Sequence, residues 1–129
     1  MIWHPELSVI LSEIPESCTV HKGVFIGKNV KIGERVKIQA DAFIPDGVTL
    51  EDDVFIGPKA SFANDKYPPS NGNWVTSLVC KGASIGINAT ILPVITIGVG
   101  SVVGGGAVVT KDIPDGETWV GNPAKKLNK

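Results

Sequence analysis

Apolar residues recur at every sixth position along most of the chain. The first run holds nine such positions, and a second run of six follows one interruption. They are Ile14, Val20, Ile26, Ile32, Ile38, Ile44, Leu50, Ile56 and Phe62, then Val79, Ile85, Ile91, Ile97, Val103 and Val109. A period of six does not return to the same face of a 3.6-residue helix. The pattern therefore favours short strands.

Compact residues lie two positions before most of these apolar residues, and glycine often lies one position after. The compact residues are Cys18, Val24, Val30, Val36, Ala42, Val48, Val54 and Ala60, then Ala83, Ala89, Ile95, Ser101 and Ala107. The glycines are Gly27, Gly33, Gly57, Gly86, Gly98 and Gly104. Side chains two apart share one face of a strand, and we expect the glycine to supply the backbone freedom of a tight corner. Each hexapeptide is thus predicted to be one strand and one turn.

Such short strands cannot bury their apolar face alone. The repeats are therefore predicted to coil into a solenoid in which parallel strands of successive turns stack about 4.8 Å apart. Residues 63–78 form the one long interruption of the repeat. We expect them to project as a loop from one corner, either as a functional segment or as a tolerated insertion.

Composition and charge narrow the function classes. Twelve basic and 13 acidic residues give a formal net charge of -1, which lacks the electrostatic footprint of a nucleic-acid or membrane-surface binder. No stretch approaches the ~20 apolar residues that cross a bilayer, and the start has no basic signal segment. We expect a soluble, cytoplasmic protein without membrane insertion. Cys18 and Cys80 could form one disulfide at most, and both are expected to be reduced.

The repeat, written [Leu/Ile/Val]-Gly-x-x-x-x, resembles that of the hexapeptide-repeat acyltransferases over roughly residues 14–127. The resemblance implies an all-β fold, a left-handed parallel β-helix with three hexapeptides per coil and about five coils. We expect one domain over residues 1–129, with an irregular start over 1–13 and a C-terminal cap over 112–129. The resemblance further implies a homotrimer with active sites between subunits.

Residues 47–58, Gly-Val-Thr-Leu-Glu-Asp-Asp-Val-Phe-Ile-Gly-Pro, and 62–65, Phe-Ala-Asn-Asp, look like a narrower branch of this family. That branch contains N-acetyltransferases that act on nucleotide-linked amino sugars. The chain departs from its pattern at Ala63, where threonine is usual, and at Pro69, where arginine is common. The missing arginine bears on recognition of the sugar nucleotide.

The candidate catalytic residues are Asn64 and Asp65, at the start of the loop. Asn64 is predicted to orient the sugar or the reacting groups, and Asp65 to anchor the amine or accept its proton directly or through water. The alternative is that both residues only form an Asx turn. No histidine occurs over 62–67, which argues against a hydroxyl acceptor because a hydroxyl needs stronger base assistance than an amine. Lys66, Tyr67 and Trp74 of the loop are predicted to bind substrate.

The C-terminal segments 105–114 and 120–126 resemble the closing coil and cap that line the coenzyme A slot in the family. A pantetheine arm can lie along small residues and free backbone amides, while lysines pair with phosphates. The resemblance implies acetyl-CoA as co-substrate. The predicted cofactor-binding residues are Ile87, Gly105, Thr110, Lys111, Lys125 and Lys126. The alternative for the lysines is ordinary solvated surface charge.

The two histidines and the acidic run at residues 51–53 are the remaining candidates for chemistry. His4 and His21 are the two histidines, too few for the three metal ligands of a γ-type carbonic anhydrase, and no metal site is predicted. We expect His21 to face solvent at a corner. Residues 51–53, Glu-Asp-Asp, are interpreted as a solvated corner or, alternatively, as substrate ligands across a subunit boundary.

The preferred function is transfer of acetyl from acetyl-CoA to the amine of a nucleotide-activated amino sugar, for surface polysaccharide of the O-antigen type. A sugar O-acetyltransferase and a non-catalytic β-helix scaffold are the alternatives.

Overall fold

The computed structural model of the protein describes residues 1–72 and 76–128, so Trp74, a predicted substrate ligand, lies outside the described residues. A 3₁₀ helix spans Pro5–Leu7. The strands in chain order are β1 (Val9–Ile10), β2 (Thr19–Val20), β3 (Phe25–Ile26), β4 (Lys31–Ile32), β5 (Lys37–Ile38), β6 (Phe43–Ile44), β7 (Thr49–Leu50), β8 (Phe55–Ile56), β9 (Ser61–Phe62), β10 (Leu78–Val79), β11 (Ser84–Ile85), β12 (Thr90–Ile91), β13 (Thr96–Ile97), β14 (Val102–Val103), β15 (Val108–Val109), β16 (Thr118–Val120) and β17 (Lys125–Lys126). Over the two described ranges, no helix has the length and apolar character needed to cross a membrane.

The strands form three sheets that run along the solenoid. Sheet 1 has the order β1-β3-β6-β9-β12-β15, sheet 2 has β13-β10-β7-β4, and sheet 3 has β17-β16-β14-β11-β8-β5-β2. From β1 to β16, strands next to each other along the chain lie in different sheets, and each pairs in parallel with a strand of a neighbouring turn. The all-β solenoid predicted from the hexapeptide period is confirmed, and it agrees with the left-handed β-helix that the resemblance implied.

The solenoid has about six turns, where we predicted about five. The additional pairing comes from the two ends. Within the start expected to be irregular, β1 pairs with β3, and Ile2 bridges to Val20. At the other end β16 continues sheet 3 in parallel with β14, and β17 then turns back antiparallel to β16. The ends thus extend the sheets that the repeat begins.

The core is a stack of apolar side chains that point inward from every turn. Most residues at the sixth positions, such as Ile38, Ile56 and Ile85, are fully buried, and so are compact corner residues such as Ala60 and Ala83. Ile14 and Ile32 are only partly buried and pack against this core. Each hexapeptide therefore contributes two apolar residues to one continuous core, and this requirement accounts for the strict period.

The glycines after the strands serve a different purpose from the one predicted. The left-handed backbone lies two residues later, for example at Lys59 and Asn88, with φ of +61° and +60°. At Gly57 a Cβ atom would lie 2.7 Å from the Ile87 nitrogen of the next turn, and at Gly86 it would lie 2.6 Å from the Gly105 nitrogen. Close approach of the next turn's backbone, and not conformational freedom, requires glycine there.

The loop interrupts the sequence without disturbing the register. Before it, Phe25 pairs with Phe43, 18 positions later. Across it, Phe55 pairs with Ser84, 29 positions later, and beyond it Ser84 pairs with Val102, again 18 positions later. The insertion therefore adds eleven residues to one turn, and the coils on either side stack as if it were absent.

Candidate functional site

Three corners join the sheets, and each is defined by its segments. The loop corner joins sheet 1 to sheet 2 through 27–30, 45–48, 63–77, 92–95 and 110–112. The charged corner joins sheet 2 to sheet 3 through 33–36, 51–54, 80–83 and 98–101. The glycine corner joins sheet 3 to sheet 1 through 21–24, 39–42, 57–60, 86–89 and 104–107. The predicted site residues lie mainly on the loop and glycine corners.

Both ends of the loop are tied to neighbouring coils. The Ala63 amide donates to the Ile91 carbonyl at 2.8 Å where the loop leaves sheet 1. At the return, the Thr76 hydroxyl donates to the Gly47 carbonyl at 2.8 Å. The buried Ser77 hydroxyl donates to the Leu92 carbonyl at 3.3 Å and accepts from the Ile95 amide at 2.9 Å. The coils thereby hold the loop ends on both sides.

Asp65 has one engaged and one unengaged oxygen. Its Oδ2 accepts a hydrogen bond from the Ser70 amide at 2.9 Å, which closes a turn inside the loop. Among the described residues, its Oδ1 is buried without a hydrogen-bond partner, and so is the Ser70 hydroxyl. An Asx turn would join the Asp65 side chain to the amide two residues on, whereas this bond spans five residues and ties the loop across its base. Asp65 also keeps an acceptor that no described group uses.

The remaining loop candidates differ in exposure. Asn64 is half-buried, whereas Lys66 is exposed and the Tyr67 side chain is 77% exposed. The Lys66 Nζ lies 5.7 Å from the centroid of the Tyr67 ring, within range of a cation–π contact. Lys66 and Tyr67 are thus presented to solvent beside the half-buried Asn64.

Thr110 and Lys111 lie on the same corner as the start of the loop. Ile91 pairs with Phe62 on one side and with Val109 on the other, so residues 110–111 follow the strand two turns beyond residues 63–64. Two turns correspond to about 10 Å along the axis. Both Thr110 and Lys111 are exposed. The structure therefore gathers these two cofactor candidates with Asn64 and Asp65 along one edge of the solenoid.

Ile87 and Gly105 lie together on the glycine corner, across sheet 1 from the loop corner. The Gly106 amide donates to the Ile87 carbonyl at 2.8 Å, and a Cβ atom at Gly105 would lie 3.2 Å from Ile87 Cγ2. The Ile87 side chain is 52% exposed. Four of the six predicted coenzyme A residues, namely Thr110 and Lys111 on one side and Ile87 and Gly105 on the other, thus lie on two corners that flank sheet 1.

Lys125 and Lys126 form β17 at the C-terminal end of sheet 3. The Lys126 Nζ lies 3.6 Å from Glu117 Oε2, and the Trp119 indole donates to the other oxygen of the same carboxylate at 2.9 Å. Within residues 1–72 and 76–128, Lys111 and Lys125 make no ion pair. These two lysines therefore carry charge that no described acid neutralises.

Glu51, Asp52 and Asp53 all have structural partners on the charged corner. Glu51 accepts from the Lys81 amide at 2.9 Å, and Asp52 accepts from the Glu34 amide at 2.8 Å. Asp53 accepts from Arg35 Nε at 2.7 Å and from Arg35 Nη2 at 3.2 Å. The hydrogen bond from Arg35 lowers the pKa of Asp53. The three residues are exposed or half-buried, so they fit the predicted solvated corner, and their contacts add a structural role there.

A shallow cavity of about 480 Å³ lies over the charged corner and is lined in part by Lys31, Glu51 and Lys81. Cys80 is half-buried nearby, and burial, followed by the charge of Glu51, raises the pKa of its thiol. Cys18 and Cys80 are both free. No cluster of three or more His, Cys, Asp and Glu suited to a metal ion occurs in the part of the chain that the structure describes.

The two histidines lie far from the loop. His21 is half-buried on the glycine corner, where it lines an apolar cavity of about 460 Å³ together with Trp3 and His4. Sheet 1 separates this cavity from the loop corner. Neither histidine of the same chain is therefore placed to act at Asn64.

Sequence reasoning missed Ser77, which fixes the return of the loop through its two hydrogen bonds. The signal was available, because Ser77 lies two positions before Val79 and so occupies the compact position of the repeat. A polar residue at an inward position marks a place where backbone groups outside the regular ladder need a hydrogen-bond partner.

Comparison with known proteins supports one family, although no protein-family model matches the sequence. A serine acetyltransferase of Buchnera aphidicola is 34% identical over 120 residues, which cover 88% of this chain and 39% of the relative. A mutant GDP-perosamine N-acetyl transferase from Caulobacter crescentus, solved with CoA and GDP-perosamine, superposes with a TM-score of 0.81 at 27% identity. The alignment covers 98% of this chain and 56% of that one. These findings support a hexapeptide-repeat acyltransferase related to the amino-sugar acetyltransferases.

A further structural neighbour of the chain is the acetyltransferase domain of PglB from Neisseria gonorrhoeae, solved with acetyl coenzyme A. It superposes with a TM-score of 0.76 at 25% identity, over 98% of this chain and 54% of that one. The chain thus spans between 39% and 56% of the lengths of the serine acetyltransferase, the perosamine enzyme and the PglB domain. The family resemblance drawn from the sequence is confirmed.

Proposed function

We propose that the protein is an acetyl-CoA-dependent acetyltransferase that acts on the amine of a nucleotide-activated amino sugar, in a pathway to surface polysaccharide. The observation that carries the proposal is the loop corner, where Asn64 and Asp65 share one edge of the solenoid with Thr110 and Lys111. The perosamine enzyme that resembles the chain binds CoA and a nucleotide-linked sugar, and PglB binds acetyl-CoA. Because acetyl-CoA is a cytoplasmic metabolite, we propose a cytoplasmic location.

The chemistry is attack of a neutral amine on the thioester carbonyl. The new C–N bond forms as a tetrahedral oxyanion, the C–S bond then breaks, and the coenzyme leaves as a thiol after it takes up a proton. The unengaged Oδ1 of Asp65 is the acceptor for the amine proton, directly or through water. The Asn64 amide group orients the reacting groups, and alignment of the two substrates supplies much of the rate.

The coenzyme is proposed to lie along the solenoid axis with its phosphates near exposed lysines. Lys111 and Lys125 have no described acid as partner, whereas Lys126 is shared with Glu117. Ile87 and Gly105 offer an apolar side chain beside open backbone for the pantetheine arm. Lys66 and Tyr67 are proposed to contact the acceptor, because both are exposed beside Asn64.

We further propose a homotrimer with shared active sites. The support is that the two groups of coenzyme residues lie on opposite sides of sheet 1, so a slot between two chains could take one group from each. The outer face of sheet 1 carries Val9 and Phe43, which are 51% and 40% exposed, and Phe25 stacks on Phe43 with ring centroids 5.1 Å apart. A second copy seated on this face would cover that apolar surface.

The decisive experiment is calorimetric binding of acetyl-CoA. Lys111→Glu should weaken binding by about tenfold, whereas Lys28→Glu, four turns away on the same corner, should not. The double substitution Asn64→Ala, Asp65→Ala should retain binding and abolish turnover with nucleotide-linked amino sugars. Absence of binding by the folded wild type would leave the scaffold as the function.

The acceptor is tested in the same assay. Serine and unmodified sugar hydroxyls are offered beside the amino sugars, because one relative is a serine acetyltransferase. Faster turnover of a hydroxyl acceptor would replace the N-acetyltransferase proposal with O-acetylation.

The trimer is tested by light scattering, where Phe43→Glu should yield monomer and lose activity. A fully active monomer would contradict the shared site.

A further inference from the structure

Val94 adopts a backbone conformation that its side chain disfavours. Its φ is +60°, in the left-handed region, where the other described non-glycine residues are Asn, Asp, Arg, Lys and His. A β-branched residue there is a genuine outlier, because the branched Cβ approaches the backbone. Such outliers persist where the surroundings fix them, and they cluster at functional sites.

Packing does not account for valine at this position. Val94 is 55% exposed as a residue and is not part of the buried core. The equivalent positions of the other turns on the loop corner are Asn29, with φ of +57°, Gly47, with φ of +83°, and Thr76. Neither burial nor backbone preference selects valine, and the two turns with a left-handed residue here use Asn and Gly.

Hydrogen bonds hold the segment around Val94 in place. The Ile95 amide donates to Ser77 Oγ at 2.9 Å, and the Thr96 amide donates to Asp112 Oδ1 at 2.8 Å. The Leu92 amide donates to the Val109 carbonyl at 3.1 Å. The backbone therefore cannot relax away from the left-handed conformation without loss of these bonds.

Val94 also lies one turn from the proposed reacting groups. It follows Ile91 by three residues, as Asp65 follows Phe62 and Asp112 follows Val109, and Ile91 pairs with both Phe62 and Val109. The exposed side chain is thus placed on the loop corner between the start of the loop and residues 110–112. An apolar group at this place adjoins the path from the coenzyme lysine, Lys111, to Asn64.

We propose that Val94 determines the length of the acyl group, by occupying the room beside Asn64 that a longer chain would need. This proposal rests on the proposed acetyltransferase function. The side chain is maintained against backbone preference because it limits the donor to acetyl. In an apolar site, each added or removed methylene group changes selectivity by about 10- to 200-fold. A valine side chain is therefore large enough to select for the acetyl group.

The test compares Val94→Gly, Val94→Ala and wild type with acetyl-CoA and butyryl-CoA. The ratio of kcat/KM for butyryl over acetyl should rise about tenfold or more in Val94→Gly, with Val94→Ala in between. Calorimetry should show the same order for binding of butyryl-CoA. Val94→Gly should also raise the melting temperature by a few degrees, because glycine removes the strain.

Asn29→Gly is the matched control, because Asn29 holds the equivalent position three turns away with nearly the same φ. It should leave the acyl ratio unchanged. An unchanged ratio in Val94→Gly, with wild type active on acetyl-CoA, would overturn the Val94 proposal alone. A folded wild type that binds neither acyl-CoA would overturn both this proposal and the proposed function.

Discussion

The carboxylates of the charged corner and the carboxylate of the loop are used in different ways. Glu51, Asp52 and Asp53 each accept hydrogen bonds from a neighbouring turn, two from backbone amides and one from Arg35. Within residues 1–72 and 76–128, Asp65 accepts only from Ser70 of its own loop, and its Oδ1 is buried without a partner. A run of acids in the sequence can therefore be part of the coil, while a single acid in an insertion retains capacity for chemistry.

The difference follows from the geometry of a solenoid. At each corner the backbone ladder is interrupted, so some amides need an acceptor from the next turn. Asp46 and Asp115 serve the same purpose for the Lys28 and Val99 amides, at 2.8 and 2.7 Å. Acids at the corners are thus expected of the fold, whereas Asp65 accepts from an amide of its own loop and, among the described residues, from no neighbouring turn.

The largest expected effect is a loss of stability when the core of the coils is changed. Ile56 is fully buried, and Ile56→Ala should lower the free energy of unfolding by about 2–5 kcal/mol because it leaves a cavity in a continuous core. Urea denaturation measures the change. Tyr67→Ala in the loop is the comparison, and it should shift stability by less than about 0.5 kcal/mol. A similar loss in both variants would mean that the loop is packed as tightly as the coils.

The next effect concerns catalysis by the loop acid. Asp65→Asn keeps the side-chain shape and an oxygen for the Ser70 amide, and it removes the proton acceptor. We expect kcat to fall about 10²-fold while acetyl-CoA affinity stays within about twofold of wild type. Steady-state kinetics and calorimetry check this. Retained kcat would assign Asp65 to the loop turn alone.

A smaller effect is expected for a corner acid. Asp52→Ala leaves the Glu34 amide without its acceptor and should cost about 1 kcal/mol of stability, with kcat unchanged. Asp52→Asn, which keeps an acceptor oxygen, is the control and should recover most of that loss. Loss of activity at unchanged stability would point instead to substrate contact across a subunit boundary.

The smallest effect is the pH dependence from Arg35 and Asp53. Arg35 lowers the pKa of Asp53 from the model-peptide value of 3.8, so the pair stabilises the fold fully above that value. The contribution is lost as pH falls through the lowered pKa of the folded state. In thermal melts between about pH 2 and pH 6, the melting temperature should fall slightly less steeply with decreasing pH for Asp53→Asn than for wild type. The same pH dependence of the melting temperature in both proteins would show that solvent screens the pair completely.

The sequence predicts the solenoid because its signal is repeated fifteen times with one period. The inward positions, the loop boundary and the small corner residues all follow from that period. The number of turns was underestimated because Val9–Ile10 and Thr118–Val120 form strands without the hexapeptide pattern. Their pairing depends on the edge that the regular coils provide, and a sequence pattern does not record such an edge.

The candidate site was less predictable. Asn64 and Asp65 could be located because the loop breaks the period, and the register then places Thr110 and Lys111 on the same corner. The sequence did not show that Ile87 and Gly105 lie on a different corner, because sheet assignment requires the turn count across the insertion. The unusual backbone of Val94 also has no signal in the residue type alone.

The reversed strand β17 has a consequence for the length of the assembly. A parallel solenoid offers its last turn as a template, and an open edge of this kind invites end-to-end growth into fibres. β17 pairs antiparallel with Trp119 and Val120, the Val108 amide donates to the Gly121 carbonyl, and the Ala124 amide donates to the Val108 carbonyl. The edges of sheets 3 and 1 are therefore occupied by segments that do not continue the parallel ladder. We expect this reversal to block stacking of a second copy on these two edges.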